Sequence, residues 1–228
     1  MAELLKFRYF LVVLLLLGCG PEAGKKEARP EAVEAETPDA PKAEAAVILF
    51  FGDSLTAGYG LEPAQAFPAR IGERLDSLGY PYRVVNAGLS GETTAGGRSR
   101  LDWILRQEVD VFVLELGAND GLRGIPLTET RENLVYIIRR VREKYPDATV
   151  VLAGMQIPPN MGPEYTDTFQ NLFPEIAKAE ETYLIPFLLK DVGGVPELNQ
   201  ADGIHPTAKG HEMVADNVWE VLKGVLNP

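Results

Sequence analysis

The chain has 228 residues, a formal net charge of −11, one Cys and two His. The acidic balance (pI ≈ 4.8) argues against a nucleic-acid partner, which needs a basic face to displace counterions from phosphates. One Cys excludes an internal disulfide framework and, with two His, makes a Cys/His zinc cluster or other protein metal site unexpected.

Residues 1–18 read as a secretory signal. Lys6 and Arg8 supply the positive start, and residues 9–17 form a continuous apolar run, well short of the ~20 residues that span a bilayer. The run ends in Leu16-Leu17-Gly18-Cys19, which resembles the lipobox of bacterial lipoproteins. That resemblance implies cleavage before Cys19, lipidation of its thiol, and an exported protein anchored to a bacterial cell membrane by lipid, facing the periplasm or exterior. Residues 19–46 are a different material: positions 20–45 carry 7 acidic and 4 basic side chains and no aromatic one. Such a segment buries too little apolar surface to offset its ordering entropy and predicts a flexible tether, stiffened by Pro21, Pro30, Pro38 and Pro41.

Residues 47–228 predict one domain, which carries −9 of the net charge. Apolar runs at 47–51, 82–85, 111–116, 149–153 and 183–186 alternate with amphipathic stretches near 65–78, 95–107, 128–144, 166–180 and 208–224. The first four runs are rich in Val, Ile and Leu without polar alternation, as in strands covered on both faces. Strand–helix alternation at this spacing predicts a parallel sheet between two helical layers, with chemistry beyond the carboxyl ends of the strands.

The unusual residues lie at those ends. After the first run comes Gly52-Asp53-Ser54-Leu55, where a Ser at a strand-to-helix turn can present a nucleophilic hydroxyl, although the same residues also make an ordinary turn and helix cap. The second run is followed by Asn86-Ala87-Gly88-Leu89-Ser90-Gly91-Glu92-Thr93, in which Gly88 can bring its N–H close to a ligand or the loop can simply cap the next helix. After the third, Asn119 in Gly117-Ala118-Asn119-Asp120-Gly121 can donate to an oxyanion. Near the end stands Asp202-Gly203-Ile204-His205-Pro206. The spacing lets the carboxylate hold imidazole Nδ1–H and leaves Nε2 as a general base; alternatively Asp202 caps the following helix. Pro206 fits that helix's first turn, and His211 reads as an ordinary helix residue. Met155, Ile157, Pro158, Pro159 and Met161 follow the fourth run and either line an apolar acyl groove or pack beneath a loop.

Taken together these segments are similar to the SGNH/GDSL hydrolases across residues 47–206, and most similar to the bacterial arylesterase, acyl-CoA thioesterase I and lysophospholipase L1 group. The stretches 114–124, 155–157 and 202–206 carry that likeness; Ala118 departs from it, since the group often has Gly there. The resemblance implies a three-layer α/β/α sandwich with a central, mostly parallel five-stranded sheet of the flavodoxin-like kind. It also implies a Ser54–His205–Asp202 triad and an oxyanion hole of Ser54, Gly88 and Asn119. No cofactor is called for. The implied activity is hydrolysis of aryl or short-to-medium acyl esters, with lysophospholipids and thioesters as further substrates. An O-acetyl-carbohydrate esterase or acyltransferase of the cell envelope, and a non-catalytic binding lipoprotein, stay open as alternatives. If Cys19 is the anchor, Cys19→Ser moves the protein from the membrane to the soluble fraction on cell fractionation; unchanged membrane retention refutes it.

Overall fold

The computed structural model describes residues 45–227. The signal, the lipidation position Cys19 and the tether up to residue 44 lie outside the described residues, as does Pro228. The apolar runs form β1 (Ala46–Gly52), β2 (Tyr82–Gly88), β3 (Val111–Glu115), β4 (Thr149–Ala153) and β5 (Tyr183–Ile185). All neighbours pair in parallel, in the order β2-β1-β3-β4-β5. The centre of this order carries the most apolar sequence: Ile48, Leu49, Phe50 and Phe51 of β1 and Phe112 and Leu114 of β3 are wholly buried, because helices cover both faces.

Five amphipathic helices supply those covers: α2 (Phe67–Leu78), α3 (Thr94–Ile104), α5 (Leu127–Lys144), α6 (Pro163–Ala179) and α7 (Ala208–Leu222). Helix α2 packs on α7, while α5 packs on both α3 and α6, giving two helical layers around the sheet. The expected doubly wound sandwich is therefore the observed architecture. Two single-turn helices complete it, α1 (Ser54–Ala57) after β1 and α4 (Ala118–Leu122) after β3. They are too short to leave an amphipathic signature, and they carry the two most interesting polar side chains.

Two details of the observed elements bear on the site. Strand β2 runs three residues further, to Gly88, since its backbone follows β1 in register until Gly52 pairs with Gly88. At the chain's end, α7 begins at Ala208 with Thr207 as its cap, the Thr207 side chain accepting from Gly210 N–H at 3.2 Å. Asp202 is thus not that helix's cap, and Pro206 lies before the first turn rather than in it.

His211, on the buried face of α7, is 1% exposed. Its Nδ1 accepts a hydrogen bond from Phe67 N–H at 3.1 Å, and its ring lies parallel to that of Phe67. Burial, with a smaller push from the charge of His205, lowers its pKa from 6.5 to about 4. The unfolded imidazole takes up a proton near 6.5 and the folded one only near 4. The neutral ring's contribution is therefore complete above pH 6.5 and lost progressively as pH falls towards 4, at ~1.4 kcal/mol per unit. In urea unfolding, the stability advantage of the native chain over His211→Gln should shrink by about 2 kcal/mol between pH 7 and pH 4.5. A pH-independent difference would mean that the ring is not held neutral.

Candidate active site

The carboxyl edge of the sheet gathers the unusual residues. At the end of β1, Asp53 caps α1, its Oδ1 accepting from Leu55 N–H at 3.0 Å. That cap places Ser54 at the first position of the turn, where its own N–H has no acceptor among the described residues. Ser54 Oγ lies 2.9 Å from His205 Nε2, and His205 Nδ1 lies 2.7 Å from Asp202 Oδ2. The loop carrying the last two residues folds around the carboxylate: Asp202 Oδ1 accepts from the N–H groups of both Ile204 and His205 at 3.0 Å. These hydrogen bonds, the imidazole's first, hold the Asp202 carboxyl below the usual carboxylate range, at about 2. The Tyr59 ring packs on the imidazole with centroids 4.5 Å apart.

Asn119 reaches the same place from β3. Gly117 takes φ +118° as the cap of α4, so the left-handed position falls on glycine and Ala118 sits in ordinary helix, without strain. Asn119 Nδ2 donates to Asp53 Oδ2 at 2.9 Å, and Asn119 Oδ1 accepts from Arg123 at 3.4 Å. The neighbouring Asp120 faces inward, accepting from Thr94 N–H (2.9 Å), Thr94 Oγ1–H (2.5 Å) and Thr130 Oγ1–H (3.4 Å), and so joins α3, α4 and α5.

Gly88 does not join this group, and the sequence expectation for it is corrected. As the last residue of β2 it donates its N–H to Asn86 Oδ1 at 3.0 Å. A Cβ there would stand 2.2 Å from Ala57 N, so the position is glycine to let α1 lie against the strand. Gly91, three residues on, takes φ +77° and lines the cavity beside Ser54 with Ser90. Its N–H has no acceptor among the described residues. The Gly88–Glu92 loop is held by Arg100, which ion-pairs with buried Glu92, donates to Ala87 O (2.8 Å) and Gly52 O (3.3 Å), and stacks over the Phe51 ring. Arg123 ties the loop's other side, donating to Gly91 O at 2.9 Å.

A cavity of about 690 Å³ opens beside Ser54, His205 and Asn119, a size typical of small-ligand sites. Beyond those three its walls are mainly apolar: Leu55, Leu122, Met155, Ile157, Phe187 and Leu189. Met155, Ile157 and Pro158 line this cavity, whereas Met161 is not among the lining residues. Phe187 and Leu189 come from the segment after β5, where the sequence offered no chemical signal. Gly91 could have been found: a glycine at the tip of a β–α loop, Ser90-Gly91-Glu92, is a standard place for positive φ.

Fold and site together define an α/β ester hydrolase. The chain belongs to the GDSL-like lipase/acylhydrolase family, whose model matches residues 50–213. Over 186 residues it is 43% identical to Esterase TesA of Pseudomonas aeruginosa, covering 81% of this chain and 92% of that protein. It is 36% identical to thioesterase 1/protease 1/lysophospholipase L1 of Escherichia coli over 186 residues, 81% of this chain and 87% of the relative. The crystal structure of the psychrotrophic esterase EstA from Pseudoalteromonas sp., inhibited by monoethylphosphonate, matches with a TM-score of 0.75 at 33% identity, over 80% of this chain and 99% of that one.

Because Gly88 serves packing, Gly88→Ala should destabilise the fold by roughly 1–3 kcal/mol, the usual range for overpacking, in urea denaturation. Unchanged stability with lost esterase activity would return Gly88 to the chemistry.

Proposed function

We propose that the chain is a serine esterase working through an acyl-enzyme on Ser54. The observation that carries this is the hydrogen-bonded series Ser54 Oγ, His205 Nε2, His205 Nδ1, Asp202 Oδ2 at the edge of an apolar cavity. His205 Nε2 takes the Ser54 proton as Oγ attacks the ester carbonyl. Asp202, ionised throughout the neutral range, keeps the proton on Nδ1 and stabilises the imidazolium. The tetrahedral oxyanion is met by Ser54 N–H, Gly91 N–H and the Asn119 amide, the two backbone donors having no acceptor among the described residues. His205 then gives its proton to the leaving alcohol or thiol, activates water, and the acyl group is released from Ser54.

For the substrate, we infer esters or thioesters of neutral, apolar acyl chains. The apolar walls recover free energy from each buried methylene, ~0.8 kcal/mol, and offer few hydrogen-bonding groups for a sugar ring, which disfavours the O-acetyl-carbohydrate reading. The thioesterase 1/protease 1/lysophospholipase L1 relative points the same way. The lipobox-like Leu16-Leu17-Gly18-Cys19 supports a membrane-tethered enzyme outside the cytoplasm, where lipid esters and their fragments are nearer to hand than acyl-CoA.

Ser54→Ala should abolish hydrolysis of p-nitrophenyl esters and labelling by an organophosphonate, and Asn119→Ala should lower kcat by ~10²–10³. Turnover surviving Ser54→Ala removes the nucleophile assignment. The native enzyme should prefer p-nitrophenyl octanoate to acetate; a strong preference for acetate favours the sugar-deacetylase alternative.

A further inference from the structure

Two buried carboxyl groups take no part in the proton relay, and both lie beside the turn that carries Ser54. Glu115, 1% exposed at the end of β3, directs Oε2 at that turn. There it accepts from Asp53 N–H (3.2 Å), Thr56 N–H (3.3 Å) and Thr56 Oγ1–H (2.7 Å). Its Oε1 has no hydrogen-bond partner among the described residues. Asp53, equally buried, uses one oxygen for Leu55 N–H and the other for Asn119 Nδ2–H.

The second contact has a chemical consequence. An Asn amide fits its space in two orientations of nearly equal shape, and only one presents N–H to an oxyanion. A carboxylate at Asp53 accepts from Nδ2 and repels Oδ1, so it forbids the wrong orientation. Arg123, donating to Oδ1 from the other end, favours the same one. One Nδ2 hydrogen is used by Asp53 and the second is left for the substrate.

We propose that Asp53 is a positioning residue that aims the Asn119 amide, and that Glu115 in its neutral form holds Asp53 and the nucleophile turn on the sheet. This rests on the serine-esterase reading above. Two neighbouring carboxyl groups in a buried site cannot both be charged at modest cost. Burial, then the charge of Asp53, holds Glu115 well above the carboxylate range, while burial raises Asp53 only to about 6. Of the two, Glu115 is therefore the group that favours keeping a proton. Oε1 is the oxygen left to carry it, because Oε2 is occupied by three donors, and Asp53 keeps the charge that orients Asn119.

A double-mutant cycle on the full chain tests this, with p-nitrophenyl butyrate kinetics and circular-dichroism melting for every variant. Asp53→Asn should lower kcat by ~10²-fold with KM changed less than about threefold, since only transition-state stabilisation is lost. In an Asn119→Ala background the same substitution should lower kcat less than about threefold, because the amide it aims is gone. Asp53→Ser keeps a helix cap for Leu55 but not the Asn119 partner, and it should behave in the same way; it serves where Asp53→Asn fails to fold. Equal losses in both backgrounds overturn the positioning role and leave the esterase reading intact. Wild-type kcat in Asn119→Ala alone overturns the oxyanion assignment and this proposal with it. Glu115→Ala should lower kcat and melting temperature, and Glu115→Gln, a shape match for the neutral acid, should recover most of both. A Gln variant as impaired as Ala shows that Glu115 acts as a carboxylate and refutes its neutral role.

Discussion

The active site depends on one attachment, that of the turn bearing Ser54 to the neighbouring strand through Glu115 Oε2. A single-turn helix has too few internal hydrogen bonds to hold its own shape, since most of its backbone donors have no partner within it. Here the donors of Asp53 and Thr56 are met by a side chain of β3, that of Leu55 by Asp53, and that of Ala57 by the Asp53 carbonyl at 2.9 Å. Of these donors, Ser54 N–H alone has no acceptor among the described residues. The strand that supplies Glu115 also leads, four residues later, to Asn119. The distance between nucleophile and amide is thus set by the β1–β3 pairing, in which Gly52 stands opposite Glu115.

The rest of the edge is fastened by the same logic at greater distance. Arg100 reaches from α3 to the last carbonyls of β1 and β2 and to Glu92, and Arg123 reaches from the end of α4 to Gly91. A guanidinium with several acceptors loses little entropy per bond formed and cannot be neutralised. Both suit a loop whose backbone N–H, in the proposed mechanism, faces a ligand. Loops can carry chemistry only where a rigid scaffold positions them, and in this molecule that scaffold extends through side chains as well as strands.

Much of this was legible in the sequence, and the parts that were not share a cause. Val/Ile/Leu-rich runs identify β1, β3 and β4 because helices bury both faces, a shorter run marks the half-buried edge strand β2, and the Ser54, Asn119 and Asp202–His205 segments stand out because they follow strands or precede a helix. Gly88 misled because glycine serves two needs that look alike in one dimension: close approach between backbones, and freedom at positive φ. Telling Gly88 from Gly91 required the end of β2, and that end is fixed by pairing with β1 rather than by the composition of β2. Glu115 was invisible for a related reason. It closes an apolar run and reads as the polar residue after a strand, and only the turn packed over it makes it a buried hub. Phe187 and Leu189 reach the cavity through the topology of β5, which no local pattern reports.

Within this one edge, three carboxyl groups differ in charge because their surroundings differ. Asp202 is open to solvent and surrounded by donors, which favours its ionised form. Glu115 is wholly enclosed beside another carboxyl, which favours its neutral form, and Asp53 lies between these extremes. Opposite environments separate like groups into different roles. In the proposed acyl transfer, an ionised Asp202 supports the cation that forms on His205. In the same proposed mechanism a second full charge at Glu115, packed against the turn that bears Ser54, would oppose a developing oxyanion, so a proton retained at Glu115 favours the same transition state as a proton absent from Asp202.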